Sequence, residues 1–254
     1  MADRVFQNPV WVESVSSTNS ALLDRLAGGE RLPSGYVLAA REQTGGRGRF
    51  DRRWVSHSGR DLTFSFYLPD PSAPGRLASL PMAAALAVAD AAGSMGVSAR
   101  TKWPNDVITP RGKLCGILSE RARDGVVVGI GVNLNMTRDE ASAIDQPATS
   151  LLMETGLAVA PGDALESVLA ALEPVLAAWR GGGFAAIRDA WTSRCAYVGE
   201  RITITDAGSS TKGILSGFGE EGDLLLREAD GTTRRVWSGD LRHHLNVELV
   251  DRAR

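Results

Sequence analysis

Apolar residues recur along the chain with two periods, and the changes of period fall at glycine, proline and small polar residues. Ser17-Thr18-Asn19 precedes a segment in which Leu22, Leu23 and Leu26 share one helical face, and Gly28-Gly29 follows. A Ser or Thr side chain satisfies the free amides of a first turn and glycine stops a helix, so this spacing predicts a short capped amphipathic helix. "GYVLAARE" (35–42) reads as a strand. In "DLTFSFYL" (61–68), Leu62, Phe64 and Phe66 alternate with smaller or polar residues, the period of a strand with one buried face. "LPMAAALAVADAAGSMG" has a proline near its start, an alanine-rich body and a glycine end, which predicts a buried helix.

"ARTKWPNDVIT" reads as a strand leading into a Pro-Asn turn, and "RGKLCGILSE" with "GVVVGIGVNLN" as two arms of a hairpin joined around Asp124-Gly125. Helical pattern returns from Gly162 to Arg180 and from Phe184 to Arg194, separated by Gly181-Gly182-Gly183. After Ala196 the chain changes to short β-rich runs spaced by Gly and Asp turns, the texture of a small antiparallel barrel. A domain boundary near 193–197 divides the chain into a larger domain, 1–194, and a small β-domain, 195–254.

The 254 residues, 43% apolar and 23% charged, suit a soluble globular protein. A net charge of −2 argues against a general polyanion binder and so against nucleic acid as partner. No apolar run is long enough to cross a bilayer and the N-terminus lacks an export pattern, so a cytoplasmic location without membrane attachment is expected. Cys115 and Cys195 read as free thiols, and three histidines are too few for a metal cluster; His243 and His244 read as ordinary surface or hairpin residues. The formal G-x-G-x-x-G at 217–222 lies between short strands and carries two glutamates, so it reads as a glycine-rich hairpin and not a dinucleotide site.

Three stretches carry candidate chemistry. "QTGGRGRFDRRW" (43–54) holds four of the 25 arginines on a segment too glycine-rich for a regular element. Guanidinium groups bind carboxylate or phosphate through two N–H groups at once, and Trp54 offers a flat apolar face, so this is a small-anion site or a solvated basic loop. In Lys102-Trp103-Pro104-Asn105-Asp106, the Asp106 carboxylate suits Mg²⁺ carried by phosphate, or the stretch is a turn with a surface ion pair. Lys113 follows in "GKLCGIL", opposite "GIGVNLN"; it is a fixed cation beside reacting phosphate or a solvent-facing strand lysine.

Taken in order, S-T-N, G-R-G-R…W, K-W-P-N-D, K-L-x-G-I-L and G-x-G-x-N resemble the motifs of the bacterial biotin–protein ligases, over essentially the whole chain. The resemblance implies an α+β fold: a mixed sheet flanked by helices, related to class II aminoacyl-tRNA synthetases, followed by an SH3-like barrel. It implies a reaction in which biotin and MgATP give biotinyl-5′-AMP and pyrophosphate, after which biotin passes to a lysine of a biotin carboxyl carrier domain of an acyl-CoA or pyruvate carboxylase. By position, Ser17, Thr18 and Gln43 would hold the biotin ureido ring, with Gly116, Gly129 and Gly131 lining its pocket. Gly46, Arg47 and Arg49 would hold carboxylate and phosphates, Arg49 retaining the adenylate. Trp54 would stack on adenine. Lys113 would be the essential cation between the biotin carboxylate and the α-phosphate. Asn105 would lie by the phosphates and Asn133 would contact phosphate or metal, with Asp106 beside Mg²⁺ and no tightly bound metal.

The loop departs from the family pattern G-R-G-R-x-G-R-x-W in having Asp51 at the third glycine. That removes one flexible point and adds a negative charge beside the expected phosphates. Sixteen residues precede Ser17, so no DNA-binding repressor domain is expected there, and the family allows a monomer or a weak homodimer. A lipoate or octanoate ligase of the same fold is the alternative enzyme; Ser17, Thr18 and Gln43 favour the cyclic urea. A nucleic-acid module using the arginine loop is the non-enzyme alternative, against which the acidic balance speaks.

Overall fold

The structure, a computed structural model, describes residues 5–69, 77–206 and 208–243. A seven-stranded sheet has the order β1-β2-β3-β7-β6-β5-β4, built from β1 (Val10–Val15), β2 (Tyr36–Gln43), β3 (Leu62–Pro69), β4 (Arg100–Lys102), β5 (Asp106–Thr109), β6 (Gly112–Ala122) and β7 (Gly125–Val132). Only the β1–β2 pair is parallel; every other neighbour is antiparallel, so the sheet is mixed.

Alternation along the strands gives the sheet two unlike faces. Leu62, Phe64, Phe66 and Leu68 of β3 join Val126, Val128, Ile130 and Val132 of β7 in the main core. Over them lies α2 (Leu80–Ser94), whose small side chains let it sit against the sheet, and α5 (Pro161–Gly182) packs beside it. The other face shows small residues in line. Across the sheet, Gly116 pairs with Gly131 and Gly131 with Thr63; one step along, Leu118 pairs with Gly129 and Gly129 with Ser65. At one end of this face sits α1 (Thr18–Ala27), with Ser17 capping it by accepting from the Ser20 amide, and Leu22 fully buried against Val127 and Tyr67. A groove therefore runs along the remainder of the face.

Two five-residue helices, α3 (Arg138–Ser142) and α4 (Leu151–Thr155), follow β7, and α6 (Arg188–Arg194) closes the first part of the chain. The Ala196 amide still bonds to the Thr101 carbonyl at the β4 edge. The antiparallel C-terminal sheet then begins: β8 (Arg201–Asp206), β9 (Ser209–Phe218), β10 (Leu224–Arg227), β11 (Thr233–Val236) and β12 (Asp240–His243), in the order β11-β10-β9-β8-β12. Its apolar face is continuous with the main core. Phe218 meets Trp191 and Phe184 edge-on, with ring centroids 6.1 and 6.2 Å apart. The Gly217–Gly222 stretch is the β9–β10 turn, as its glutamates suggest, and Gly222 (φ 91°) brings its carbonyl within 3.0 Å of Trp103 Nε1. His243 stacks on Tyr197 at 4.2 Å; His244 lies outside the described residues.

Candidate active site

The glycine-lined groove is floored by β6 and β7, walled by the start of α1 and the end of β2, and crossed by residues 44–53. Gly131 leaves no room for a side chain, because a Cβ there would lie 2.4 Å from Trp54 Cε2; at Gly116 it would lie 3.0 Å from Trp54 Cζ3. Trp54 thus packs on the strand glycines themselves, and its Nε1 is buried with no acceptor. The indole therefore lines the groove over Gly116 and Gly131. At Gly129 a Cβ would lie 2.3 Å from Asn19 Oδ1, which fills that position instead.

Around Asn19 is a buried polar network. Ser65 Oγ lies 2.6 Å from Asn19 Oδ1 and 2.7 Å from Thr18 Oγ1, and Gln43 Oε1 accepts from the Thr18 amide at 3.0 Å. Asn19 Nδ2 donates to the Leu118 carbonyl and to Glu120. Ser17, Thr18 and Asn19 are each under 5% exposed, so polar groups line an otherwise apolar pocket end with their positions fixed by one another. Ser17, Thr18 and Gln43 are brought together here, as expected. Asn19 and Ser65 were not anticipated. The signal for Ser65 is that Thr63 and Ser65 make one face of β3 small and polar while the other face is all Leu and Phe.

The arginine segment is a tight hairpin. Trp54 N bonds to Gly46 O at 2.9 Å and Gly48 N to Arg52 O at 2.6 Å, and Arg49–Asp51 form the tip as a single 3₁₀ turn with Phe50 in the left-handed region (φ 56°). Gly46 lies beneath Trp54 and Gln43, where a Cβ would come within 2.7 Å of either. Each arm is held by a carboxylate: Arg47 bonds to both oxygens of Glu120 at 2.8 and 2.9 Å, and Arg52 to Asp240 at 2.8 Å. Arg49, between them, donates to two neutral oxygens, Asn105 Oδ1 and Gly239 O, each at 3.3 Å. Burial lowers its pKa, opposed by the Asp106 and Asp240 charges. A half-buried guanidinium with no carboxylate partner among the described residues is suited to an anionic ligand. The side chain of Asp51, where the loop departs from the family pattern, lies outside what the structure describes.

At the far end, the β5–β6 register shift leans Lys113 over Gly116, whose Cβ would lie 3.1 Å from Nζ. Lys113 Nζ sits 2.8 Å from Asp106 Oδ1, and 5.8 Å from the centroid of the Trp54 ring. Asn105 donates to the Ile117 carbonyl at 2.6 Å and accepts from Arg49. Lys102 also lines the groove, its pKa lowered by burial. Among the expected site residues, Asn133 does not line the groove. It is 3% exposed, its amide donates to the carbonyls of Lys113 and Thr149, and it holds the backbone behind the lysine instead of facing the groove.

Asp106 is already paired with Lys113, and among the described residues no three His, Cys, Asp or Glu side chains gather.

A groove that sets a fixed polar wall at one end and the cations Lys113 and Arg49 at the other is built to bring a small acid to a phosphate, the work of an acid-activating ligase. The chain belongs to the biotin–protein ligase family. Residues 11–136 match the biotin/lipoate A/B protein ligase family. A biotin–[acetyl-CoA-carboxylase] ligase of Paracoccus denitrificans is 40% identical over 230 residues, spanning 85% of this chain and 92% of that one. The Mycobacterium tuberculosis enzyme of the same name is 34% identical over 91% of this chain and 87% of its own. An Aquifex aeolicus biotin protein ligase solved in complex with biotin and ATP matches with TM-score 0.82 and 31% identity, over 94% of this chain and 100% of that one.

Proposed function

We propose that this protein is an ATP-dependent biotin–protein ligase, acting in two half-reactions. In the first, a biotin carboxylate oxygen attacks the α-phosphorus of ATP; a C–O–P bond forms, the bond to the β-phosphate oxygen breaks, and biotinyl-5′-AMP and pyrophosphate result. In the second, a carrier lysine amine attacks the acyl carbon and AMP leaves. The observation that carries this reading is the groove itself, with the Thr18–Gln43–Ser65 network beside Ser17 at one end and Lys113 and Arg49 at the other.

A cyclic urea presents one carbonyl and two N–H groups, and a wall of fixed hydroxyls and an amide satisfies them where an alkyl acid would leave them unpaired. This favours biotin over lipoate or octanoate, as do the named relatives. Gly116, Gly129 and Gly131, with Trp54, form the apolar side of that subsite. Lys113 bridges carboxylate and α-phosphate and stabilises charge as the two anions approach. Arg49 grips the adenylate phosphate, and Arg47 and Asn105 lie beside it. Magnesium would arrive as MgATP and offset phosphate charge, with Asp106 the residue that would lie beside it.

In the same reading, residues 1–194 are a catalytic domain of class II synthetase type, 195–254 are an SH3-like module, and the acceptor is the biotin carboxyl carrier domain of an acyl-CoA or pyruvate carboxylase. Incubating the protein with biotin, MgATP and an isolated carrier domain tests this: a mass gain of one biotin on one carrier lysine is expected. An unmodified carrier, from a protein that forms adenylate, would overturn the choice of acceptor.

A further inference from the structure

The C-terminal sheet contributes a carboxylate to the groove, and nothing in the ligase chemistry above uses it. Asp240 opens β12, which pairs with β8 at the edge of the five-stranded sheet. Its Oδ2 lies 2.8 Å from Arg52 Nη2, and the carbonyl of the preceding Gly239 accepts from Arg49 Nη1 at 3.3 Å. Two consecutive residues of one module therefore hold two arginines of the loop that belongs to the other.

The loop's internal bonds make this more than a surface contact. Arg52 O accepts from Gly48 N, and Arg52 N donates to Arg49 O at 3.3 Å, so Arg52 closes both ends of the turn that carries Arg49. Fixing Arg52 fixes that turn, and the Arg49 guanidinium is then set between Asn105 and Gly239 with its charge unpaired. The opposite arm is held to the main sheet by Arg47 and Glu120. The hairpin is thus suspended across the groove between two sheets, one carboxylate on each. The Arg52 side chain is 53% exposed and Asp240 24%, so the Asp240 tether is one that solvent can loosen.

We propose that Asp240 is a positioning residue for the reaction, through which the C-terminal module holds the arginine hairpin closed and so retains the acyl-adenylate. The inference rests on the ligase reading. It assigns the module a part in keeping the intermediate from water and from bystander amines, separate from any contact with the carrier. Asp240 touches no reacting atom; it acts through Arg52 and the turn bearing Arg49. Loss of the tether leaves the Ser17–Gln43 wall and Lys113 untouched, so adenylate formation and adenylate retention separate.

The experiment uses the full chain and two readouts: biotin-dependent ATP–pyrophosphate exchange, and release of biotinyl-AMP trapped by hydroxylamine in the absence of carrier. For Asp240→Ala, exchange at saturating substrates should stay within about twofold of wild type while adenylate release rises about fivefold, the ratio that a half-exposed ion pair supports. Arg52→Asp should behave alike. The double variant Arg52→Asp/Asp240→Arg, which restores the pair with its charges exchanged, should return release toward wild type, which a general loss of folding would not do. Unchanged release in Asp240→Ala, or a double variant as leaky as the sum of its parts, overturns the proposal. If the wild-type chain shows no biotin-dependent exchange at all, the ligase reading fails first and the proposal falls with it.

Discussion

Lys113 and Asp106 face each other across the β5–β6 pair with Nζ and Oδ1 2.8 Å apart, directly over the Gly116–Gly131 floor of the groove. The pair fixes the lysine's charge over that floor, and a phosphate entering the groove competes with Asp106 for it. Lys113→Ala is therefore expected to lower biotin-dependent adenylate formation at least about a hundredfold, with the far-UV spectrum and melting temperature near wild type. A Lys113→Ala protein within tenfold of wild-type exchange would remove the lysine from its assigned role.

Arg49 donates to Asn105 and Gly239 with no carboxylate partner among the described residues, and Arg49→Gly removes the group proposed to grip the adenylate. Biotinyl-AMP should escape into solution and label bystander lysines, visible as promiscuous biotinylation of an added inert protein. Labelling no greater than with wild type would show that retention lies elsewhere.

The groove floor offers a test by volume. A methyl at Gly131 would meet the Trp54 ring at 2.4 Å, and the ring rests on the floor itself. Gly131→Ala should displace the indole into the biotin subsite and raise the KM for biotin about tenfold or more, the order of an overpacking cost of about 1–3 kcal/mol. The KM for ATP should move far less. Equal changes in both would mean that the glycine row does not belong to the biotin side.

Glu140 reports on the fold through pH. Hydrogen bonds from Arg60, then from the Thr137 amide, pull its carboxyl down to about 2 from the ordinary 4.5. A group whose pKa is depressed on folding stabilises above its unfolded pKa, and that contribution is lost as pH falls toward the folded value. The urea midpoint of wild type should therefore exceed that of Glu140→Gln by a constant margin down to about pH 4.5, with the margin closing toward pH 2. A margin independent of pH would show that the carboxylate charge is not what Arg60 and Thr137 stabilise.

Much of this was readable from the chain, for reasons that differ by element. The alternation in β3, the alanine run of α2 and the β6–β7 hairpin each carry a strong local period, and each lies where that period predicts. β1 was not foreseen: as an edge strand, with Val10 42% exposed, it lacks a clean buried face. The five-residue helices α3 and α4 are too short to show a period, and α5 continues through Gly181 and Gly182 before ending at Gly183 (φ 66°). In the groove, the motif residues converge except for Asn133 and Gly46, which lies behind Trp54 and Gln43. Ser65 was legible only as part of the small polar face it shares with Thr63 on β3, and Asn19, a single polar residue in the first turn of α1, carried no pattern of its own. Asp240 had no local signal, since its place depends on how the second sheet lies against the loop.

The shared core predicts how the two sheets unfold. Trp191 is fully buried and meets Phe218 of the C-terminal sheet edge-on. Trp191→Ala should cost about 3–5 kcal/mol and should lower the unfolding midpoint of both sheets together in one cooperative transition followed by circular dichroism. Two separated transitions in wild type would contradict a common core.

The central claim is that the groove activates biotin with ATP, and ATP–pyrophosphate exchange driven in turn by biotin, lipoate and octanoate tests it most directly. The account predicts exchange with biotin and none above background with the other two acids. Exchange driven by lipoate or octanoate, or none with biotin from a folded protein, would contradict it.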